Sequence, residues 1–195
     1  AVTGHIGSWE MLAAYFSMRG YPLSVLARPL RDERLEKLLD SQRRAKGMRP
    51  ISRIANARPA YEALKEGGIL GVLIDQDTPV TGVFCDFFGR PAFTPAGPAY
   101  LAMRTGAAVV PMGISMQRDG THLVRILKPV DASVRDGDDK DRRALEITRE
   151  CTGALERLIR FEPTQWVWMH ERWKTSPAAD NPDQRSPGEC GGSSI

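Results

Sequence analysis

The sequence has few cysteines, no long apolar segment and no strong excess of either charge. Its three cysteines are odd in number and widely spaced, which argues against a disulfide framework or a zinc site and fits a reducing compartment best. No apolar run approaches the roughly 18–20 residues that a helix needs to span a bilayer. The net charge of +3 is mild, so the overall charge does not point to a strongly charged partner.

The chain is long enough for one domain with a substantial core. It has 195 residues, of which 42% are hydrophobic and 26% charged, as expected for a soluble globular protein. From Ser176 onward the chain is rich in Pro, Gly, Ser, Asp and Asn. We therefore predict a single domain over residues 1–175 and a disordered tail over residues 176–195.

Strands and helices alternate along the predicted domain. The first helix follows Ser8, which we expect to be its N-cap. Helical periodicity is found in four further segments, residues 32–46, 59–66, 97–105 and 142–160. The most apolar strand covers residues 69–74, and a hairpin is expected over residues 108–127. The sequence therefore predicts an α/β fold with a mixed, mostly parallel central sheet flanked by helices.

Two segments carry more specific predictions. In the second helix, Leu35, Leu38 and Leu39 form the apolar stripe that we expect to face the core. Residues 78–95 include four phenylalanines and read as a long loop. A loop of that length within a compact domain is usually functional.

A histidine and a carboxylate stand at the start of the first helix. His5 and Glu10 are separated by four residues, so a direct pairing requires His5 to lie off the helix and to fold back over its first turn. His5 would then be a general base, and Glu10 would orient its ring and stabilise the imidazolium. The alternative is a surface histidine before an ordinary capped helix, with Glu10 complementing the helix dipole.

Acidic side chains follow the most apolar strand. Asp75 and Asp77 share one face at strand spacing, at the edge where open α/β sheets bind ligands. They are candidates for a divalent metal site or for hydrogen-bond acceptors that bind a polar head group, or they belong to an ordinary turn. No third carboxylate occurs at metal-like spacing, which counts against a metal ion.

Basic residues are concentrated at the end of the second helix. Arg43, Arg44 and Lys46 are followed by further arginines, and no acidic residue occurs between residues 41 and 61. Such a run is often only a solvated face, but its density favours an anionic partner. Nucleic acid is disfavoured because no stacking platform or recognition motif accompanies it.

Two further features concern single residues. Arg90 follows Phe87-Phe88-Gly89, and a lipid chain bounded by a phosphate would explain both the aromatic residues and the arginine, although a core anchor is the alternative. His122 and His170 have no carboxylate nearby in the sequence, and we interpret both as structural.

The motifs together resemble those of the bacterial lipid A biosynthesis acyltransferases, within the wider lysophospholipid acyltransferase superfamily. The resemblance extends from Gly4 to about Thr175 and depends on the set of motifs in this order rather than on any one of them. The motifs are Gly4-His5-Ile6-Gly7-Ser8-Trp9-Glu10, Arg28-Pro29-Leu30, Asp75-Gln76-Asp77, Phe87-Phe88-Gly89, Thr105-Gly106-Ala107 with Val110-Pro111, and Trp168-Met169-His170-Glu171-Arg172-Trp173-Lys174-Thr175.

The resemblance implies specific roles. The His-x4-Asp/Glu dyad of the family falls on His5 and Glu10, and its substrate-binding arginine falls on Arg44 or on the adjacent Arg43. The first aspartate of its Asp-x-Asp pair falls on Asp75. The family uses acyl carrier protein thioesters and a membrane glycolipid acceptor, and it carries a hydrophobic anchor well before the dyad. We therefore expect the chain to be an N-terminally truncated fragment of a longer protein.

These expectations define one function and three alternatives. We expect transfer of a fatty acyl chain from acyl carrier protein to a hydroxyl of a phosphorylated lipid A precursor, at the cytoplasmic face of the bacterial inner membrane, without a metal ion or cofactor. One alternative is another glycolipid or lysophospholipid acceptor, such as a phosphatidylinositol mannoside. The others are a metal-dependent hydrolase that uses His5, Glu10, Asp75 and Asp77, and a non-catalytic lipid-binding module.

Overall fold

Four parallel strands form the central sheet of the computed structural model, which describes residues 1–52, 57–135 and 137–177. In chain order they are β1 (Val2–Thr3), β2 (Leu23–Ala27), β3 (Arg49–Ser52) and β4 (Ile69–Leu73). Their order across the sheet is β1-β4-β2-β3. Strand β4 therefore has a hydrogen-bonded neighbour on each side, which explains its continuous apolar sequence.

Among the residues that the structure describes, two antiparallel hairpins accompany the sheet. They are β5 (Gly82–Phe87) with β6 (Arg90–Pro95), and β7 (Met112–Met116) with β8 (His122–Ile126). A parallel bridge between Val2 and Pro111 places the second hairpin beside β1. The predicted α/β fold with a mixed, mostly parallel sheet is confirmed.

In the described ranges, five α-helices pack around these strands. They are α1 (Trp9–Met18), α2 (Glu33–Ala45), α3 (Arg58–Lys65), α4 (Gly97–Thr105) and α5 (Lys140–Phe161). Helix α5 contributes the largest share of the core, with Ile147, Leu155 and Ile159 fully buried. In the described ranges, no helix is long and apolar enough to cross a bilayer.

The aromatic segment was predicted to be a loop over residues 78–95, but most of it forms the hairpin β5–β6. Phe87 is fully buried, and the two-residue turn at Phe88 and Gly89 has positive φ at both positions, 52° and 77°. Turns of that kind match the natural twist of paired strands. Alternation along the strands was masked by the many apolar residues, so periodicity gave no signal.

Helix α2 is oriented differently from the prediction. Leu35 and Leu38 are 55% and 57% exposed, and the residue of α2 that is buried is Arg43. The helix turns the charged side chain of Arg43 towards the domain because Arg43 pairs there with Glu10. The prediction of an inward leucine stripe was wrong at these two positions.

Two smaller predictions fall at the chain ends. Ser8 occupies the N-cap position of α1 but makes no side-chain capping hydrogen bond. Of the predicted tail over residues 176–195, residues 178–195 lie outside the described residues. The domain boundary at residue 175 stays a prediction.

Candidate active site

The central contact of the site joins two residues 70 positions apart. His5 follows β1, Asp75 follows β4, and the two strands are parallel neighbours, so their carboxyl ends meet at one edge of the sheet. The Nδ1 atom of His5 lies 2.8 Å from Oδ1 of Asp75, and the backbone N–H of His5 donates to Oδ2 at 2.6 Å. The strand register therefore holds both the backbone and the ring of His5 on one carboxylate.

Asp75 is a buried carboxylate whose hydrogen bonds stabilise its charged form. Trp166 donates its indole Nε1–H to Oδ2 at 2.9 Å, and the side chain of Asp75 is fully buried. Burial alone would raise the pKa of Asp75, but the hydrogen bonds from His5 and Trp166 and the charge of His5 hold it below its usual value. An ionised Asp75 accepts the proton of Nδ1, which leaves the Nε2 lone pair of His5 free to act as a base.

Gly4 allows this close approach. A Cβ atom at this position would lie 2.9 Å from Oδ2 of Asp75 and 3.0 Å from its Cγ. Any side chain would therefore push the loop away from the carboxylate, which explains the glycine directly before His5.

Glu10 has a different partner from the one predicted. Arg43 binds it with both ends of the guanidinium, through Nε at 3.0 Å and through a second nitrogen at 2.5 Å. Within the described part of the chain, Asp75 rather than Glu10 is the carboxylate hydrogen-bonded to His5. Glu10 lies in the first turn of α1 and faces α2, whereas the backbone contact of His5 turns its ring towards the end of β4.

The two adjacent arginines of α2 have different surroundings. The side chain of Arg43 is 9% exposed and that of Arg44 is 63% exposed, paired with Asp40 one turn earlier. Arg43 lies beside the site and Arg44 on the outer surface. The basic stretch is also less free than its sequence indicated, since Arg58 pairs with Glu62, while Arg53 lies outside the described residues.

Replacing Arg43 by methionine is expected to destabilise the domain more than the same change at Arg44. Removing one partner of a buried ion pair leaves the other charge unpaired. Because Glu10 is 37% exposed, water can solvate its carboxylate in the variant, so we expect the free energy of unfolding to fall by only about 1–2 kcal/mol. This corresponds to a melting temperature roughly 2–8 °C lower. Arg44→Met should change stability by no more than about 0.5 kcal/mol. Equal shifts in thermal melts of the two variants would contradict this assignment.

The remaining predicted residues, Asp77 and Arg90, contact the C-terminal segment. Asp77 accepts hydrogen bonds from the backbone N–H of Thr175 at 2.7 Å and from its hydroxyl at 3.0 Å. The guanidinium of Arg90 stacks over the ring of Trp173, 5.1 Å from its centroid. Both residues therefore fasten the C-terminal segment to the domain.

Sequence reasoning missed His170 as a neighbour of the site. Its ring meets that of His5 edge to face, with centroids 4.7 Å apart and an angle of 82° between the planes. Trp9 makes a similar contact with His5 at 4.7 Å. The Nε2 atom of His170 lies 2.8 Å from the amide nitrogen of Gln76. The available signal was the last motif of the resemblance, which contains this histidine.

An apolar cavity of about 340 Å³ lies beside His5. Its apolar walls come from α1, β2, β4 and β7 and include Leu12, Phe16, Val25, Gly71, Leu73 and Met112. Seven polar side chains among the described residues also line it, namely Thr3, His5, Glu10, Arg28, Arg43, Gln76 and Thr78. A base at the wall of an apolar cavity suits a substrate with a hydrocarbon chain and a reactive polar end.

The metal-site alternative requires an arrangement that differs from the one observed. Among the described residues, His5, Asp75 and His170 bring nitrogen and oxygen atoms within 4.8 Å of one another. However, Nδ1 of His5 and Oδ1 of Asp75 already bind each other. Glu10 and Asp77, which the hydrolase alternative also needs, bind Arg43 and Thr175.

The chain matches the model of a known family of acyltransferases over most of its length. The family model described as bacterial lipid A biosynthesis acyltransferase matches residues 1–175, and the chain belongs to that family. The predicted family resemblance is confirmed.

Curated relatives with two different acceptors are similar to the chain. It is 28% identical over 185 residues to a phosphatidylinositol mannoside acyltransferase of Mycolicibacterium smegmatis and 26% identical over 173 residues to that of Mycobacterium tuberculosis. These alignments cover 93% and 87% of this chain, and 57% and 52% of the relatives. The chain is also 31% identical over 118 residues to the lipid A biosynthesis lauroyltransferase of Escherichia coli, covering 60% of this chain and 37% of that protein. The chain thus spans about half the length, or less, of the relatives it matches.

Proposed function

We propose that this protein transfers a fatty acyl group from a thioester to a hydroxyl group of a phosphorylated glycolipid. The observation that carries the proposal is the His5–Asp75 pair at the wall of the apolar cavity. Such a pair supplies a base, and the cavity supplies a place for the chain of the acyl donor. In the described part of the chain, no serine or cysteine is hydrogen-bonded to the ring of His5, and we propose that the substrate provides the nucleophile.

The proposed mechanism uses Nε2 of His5 as the base. Nε2 takes the proton of the acceptor hydroxyl as its oxygen attacks the thioester carbonyl carbon, which gives a tetrahedral intermediate. The carbon–sulfur bond then breaks, and the thiolate leaves with the proton that His5 returns. Asp75 stabilises the imidazolium between these steps. General acid–base participation of this kind contributes roughly 10²–10⁴-fold.

We propose acyl carrier protein as the donor. This carrier is acidic, and Lys46 and Arg49 remain exposed after Arg43 and Arg44 have paired within the domain. The test compares acyl carrier protein and coenzyme A thioesters of the same chain. A higher kcat/KM with the carrier protein that falls on Lys46→Glu supports the proposal, and equal rates for both donors would contradict it.

The acceptor that we propose first is a phosphatidylinositol mannoside, because similarity to the mycobacterial enzymes extends over about nine-tenths of the chain. A lipid A precursor is the second candidate, favoured by the identity to the Escherichia coli lauroyltransferase. In either case we propose that three arginines contact the phosphate of the acceptor. Arg28 lines the cavity, and Arg44 and Arg90 lie outside it.

An acceptor panel tests the function. Purified protein is incubated with a labelled acyl donor and with either acceptor, each with and without its phosphate, and products are identified by mass spectrometry. We expect one acylated glycolipid, a loss of activity in His5→Ala and no effect of chelators. Inhibition by chelators with restoration by a metal would favour the hydrolase, and lipid binding without any acylated product would favour a binding module.

We propose that the outer face of α2 lies on the cytoplasmic surface of the bacterial inner membrane. Leu35 and Leu38 are one turn apart and more than half exposed, and they are flanked by the exposed basic residues Arg31, Arg34 and Lys37. Exposed leucines bordered by basic side chains are typical of helices that lie on anionic lipid.

The double variant Leu35→Glu/Leu38→Glu should bind vesicles containing phosphatidylglycerol at least about tenfold more weakly, since each buried leucine contributes roughly 1.5–3 kcal/mol. Co-sedimentation measures this, and the melting temperature should not change. Ile126→Glu is the matched control, because Ile126 is equally exposed on β8. Undiminished vesicle binding by the double variant would show that the outer face of α2 does not bind the membrane.

A further inference from the structure

We propose that His170 is a positioning residue for the catalytic base, and that acyl transfer requires it to be uncharged. This inference rests on the proposed function. It assigns a second titrating group to the site, one that touches His5 rather than the substrate.

The contact with Gln76 defines which nitrogen of His170 carries a proton. The amide nitrogen of Gln76 is a donor, so Nε2 of His170, 2.8 Å away, accepts. A neutral ring that accepts at Nε2 carries its proton on Nδ1. That Nδ1 atom is buried and has no hydrogen-bond partner among the described residues. A protonated Nε2 would place a second donor against the amide N–H of Gln76, so this contact favours the neutral state.

Three consecutive polar residues follow β4 and Ile74, and each binds a different part of the site. Asp75 binds His5, Gln76 binds His170, and Asp77 binds Thr175. The ring of His170 thus reaches His5 from a segment that is fixed at two points. His170 and Trp9 each meet the ring of His5 edge to face, which limits its rotation about the bond to Asp75.

The charges around His170 explain why its protonation would stop catalysis. Two titratable groups face it across the packing, His5 before α1 and Asp75 after β4, while Glu171 and Arg172 adjoin it in its own segment. Burial and the charge of His5 lower the pKa of His170, and Asp75 opposes them. When His5 takes the substrate proton, it becomes positive 4.7 Å from the His170 ring. A second positive charge there would oppose the proton transfer.

Two substitutions should change the pH profile in different ways. If both imidazoles must be neutral, the acid limb of log kcat/KM against pH approaches a slope of two in the unaltered protein. His170→Gln keeps an acceptor for Gln76 but has no titrating ring, so its acid limb should have a slope of one. Gln76→Met removes the donor that favours neutral His170, so its acid limb should move to higher pH.

His122→Gln is the control for loss of a histidine, since His122 is exposed on β8 and its replacement should leave the profile unchanged. Because the chain has only three histidines, NMR can follow the His170 ring directly. Its titration midpoint should lie below the ordinary range for histidine and should rise in Gln76→Met and in His5→Gln. This measurement needs no substrate and no activity.

The proposal is overturned if His170→Gln lowers kcat/KM by one factor at every pH, as a purely structural defect would, or if its acid limb matches that of the unaltered protein. It is also overturned if the His170 resonance titrates identically in Gln76→Met. A complete lack of acyl transfer by the unaltered protein would instead refute the proposed function, and the NMR titration would still report the contact between the rings.

Discussion

Asp75→Asn is expected to lower the kcat of acyl transfer by roughly 10²–10⁴-fold while leaving the site assembled. Two N–H donors, from the His5 backbone and the Trp166 indole, converge on Oδ2 and require an oxygen there. The NH₂ group of asparagine must then occupy the Oδ1 position and donate to Nδ1 of His5. This forces the proton of the ring onto Nε2, which can no longer accept one from the substrate.

Glu10→Gln is the matched comparison and should cost about tenfold or less. Glu10 binds Arg43, and glutamine can still accept one hydrogen bond from the guanidinium. Single-turnover rates and thermal melts of both variants separate loss of chemistry from loss of folding. If Glu10→Gln lost as much activity as Asp75→Asn, the predicted His5–Glu10 dyad would regain its support and the assignment of Asp75 as the orienting carboxylate would be wrong.

His5 and Asp75 are both recognisable as candidates in the sequence, but their pairing is not. Spacing along the chain compares only residues within a few turns, so it offered Glu10 as a partner for His5, and the family resemblance favoured that pairing. The actual pairing depends on the register of β1 with β4, in which Val2 faces Val72 and Thr3 faces Leu73. A strand of two residues has no periodicity to detect, so β1 was not predicted, and the edge at which the two residues meet was not visible.

The orientation of α2 shows a second limit of sequence patterns. A stripe of leucines indicates an apolar face, but it does not say whether that face meets the core or another apolar phase. Arg43 decides the matter because its partner Glu10 lies on the neighbouring helix, 33 residues away. By contrast, helices α3, α4 and α5 were predicted to within about two residues, since their periodicity and turn residues agree with the packing that they adopt.

Gly71→Leu is expected to shift the preferred acyl donor towards chains about four carbons shorter. Gly71 lines the cavity from β4, opposite Val25 in the register with β2. A Cβ atom at this position would have its nearest neighbours at 3.7 Å, so it fits without moving the strand. Because Gly71 lines the cavity, we expect a longer side chain to extend into it. The four carbons of the leucine side chain displace about four methylenes of the acyl chain, and each buried methylene contributes about 0.8 kcal/mol to binding. The ratio of kcat/KM between long and short chains should therefore change about 10²-fold.

The measurement is kcat/KM for a series of acyl donors that differ only in chain length. Gly71→Ala should give a smaller shift in the same direction. Gly113→Ala serves as the control, because Gly113 lies on β7 against Leu158 and does not line the cavity; it should keep the original preference. If Gly71→Leu instead lowered the rates of all donors equally at an unchanged melting temperature, the acyl chain would not occupy this cavity. A graded change in chain preference would place the hydrocarbon between α1 and the sheet, with its thioester end at His5.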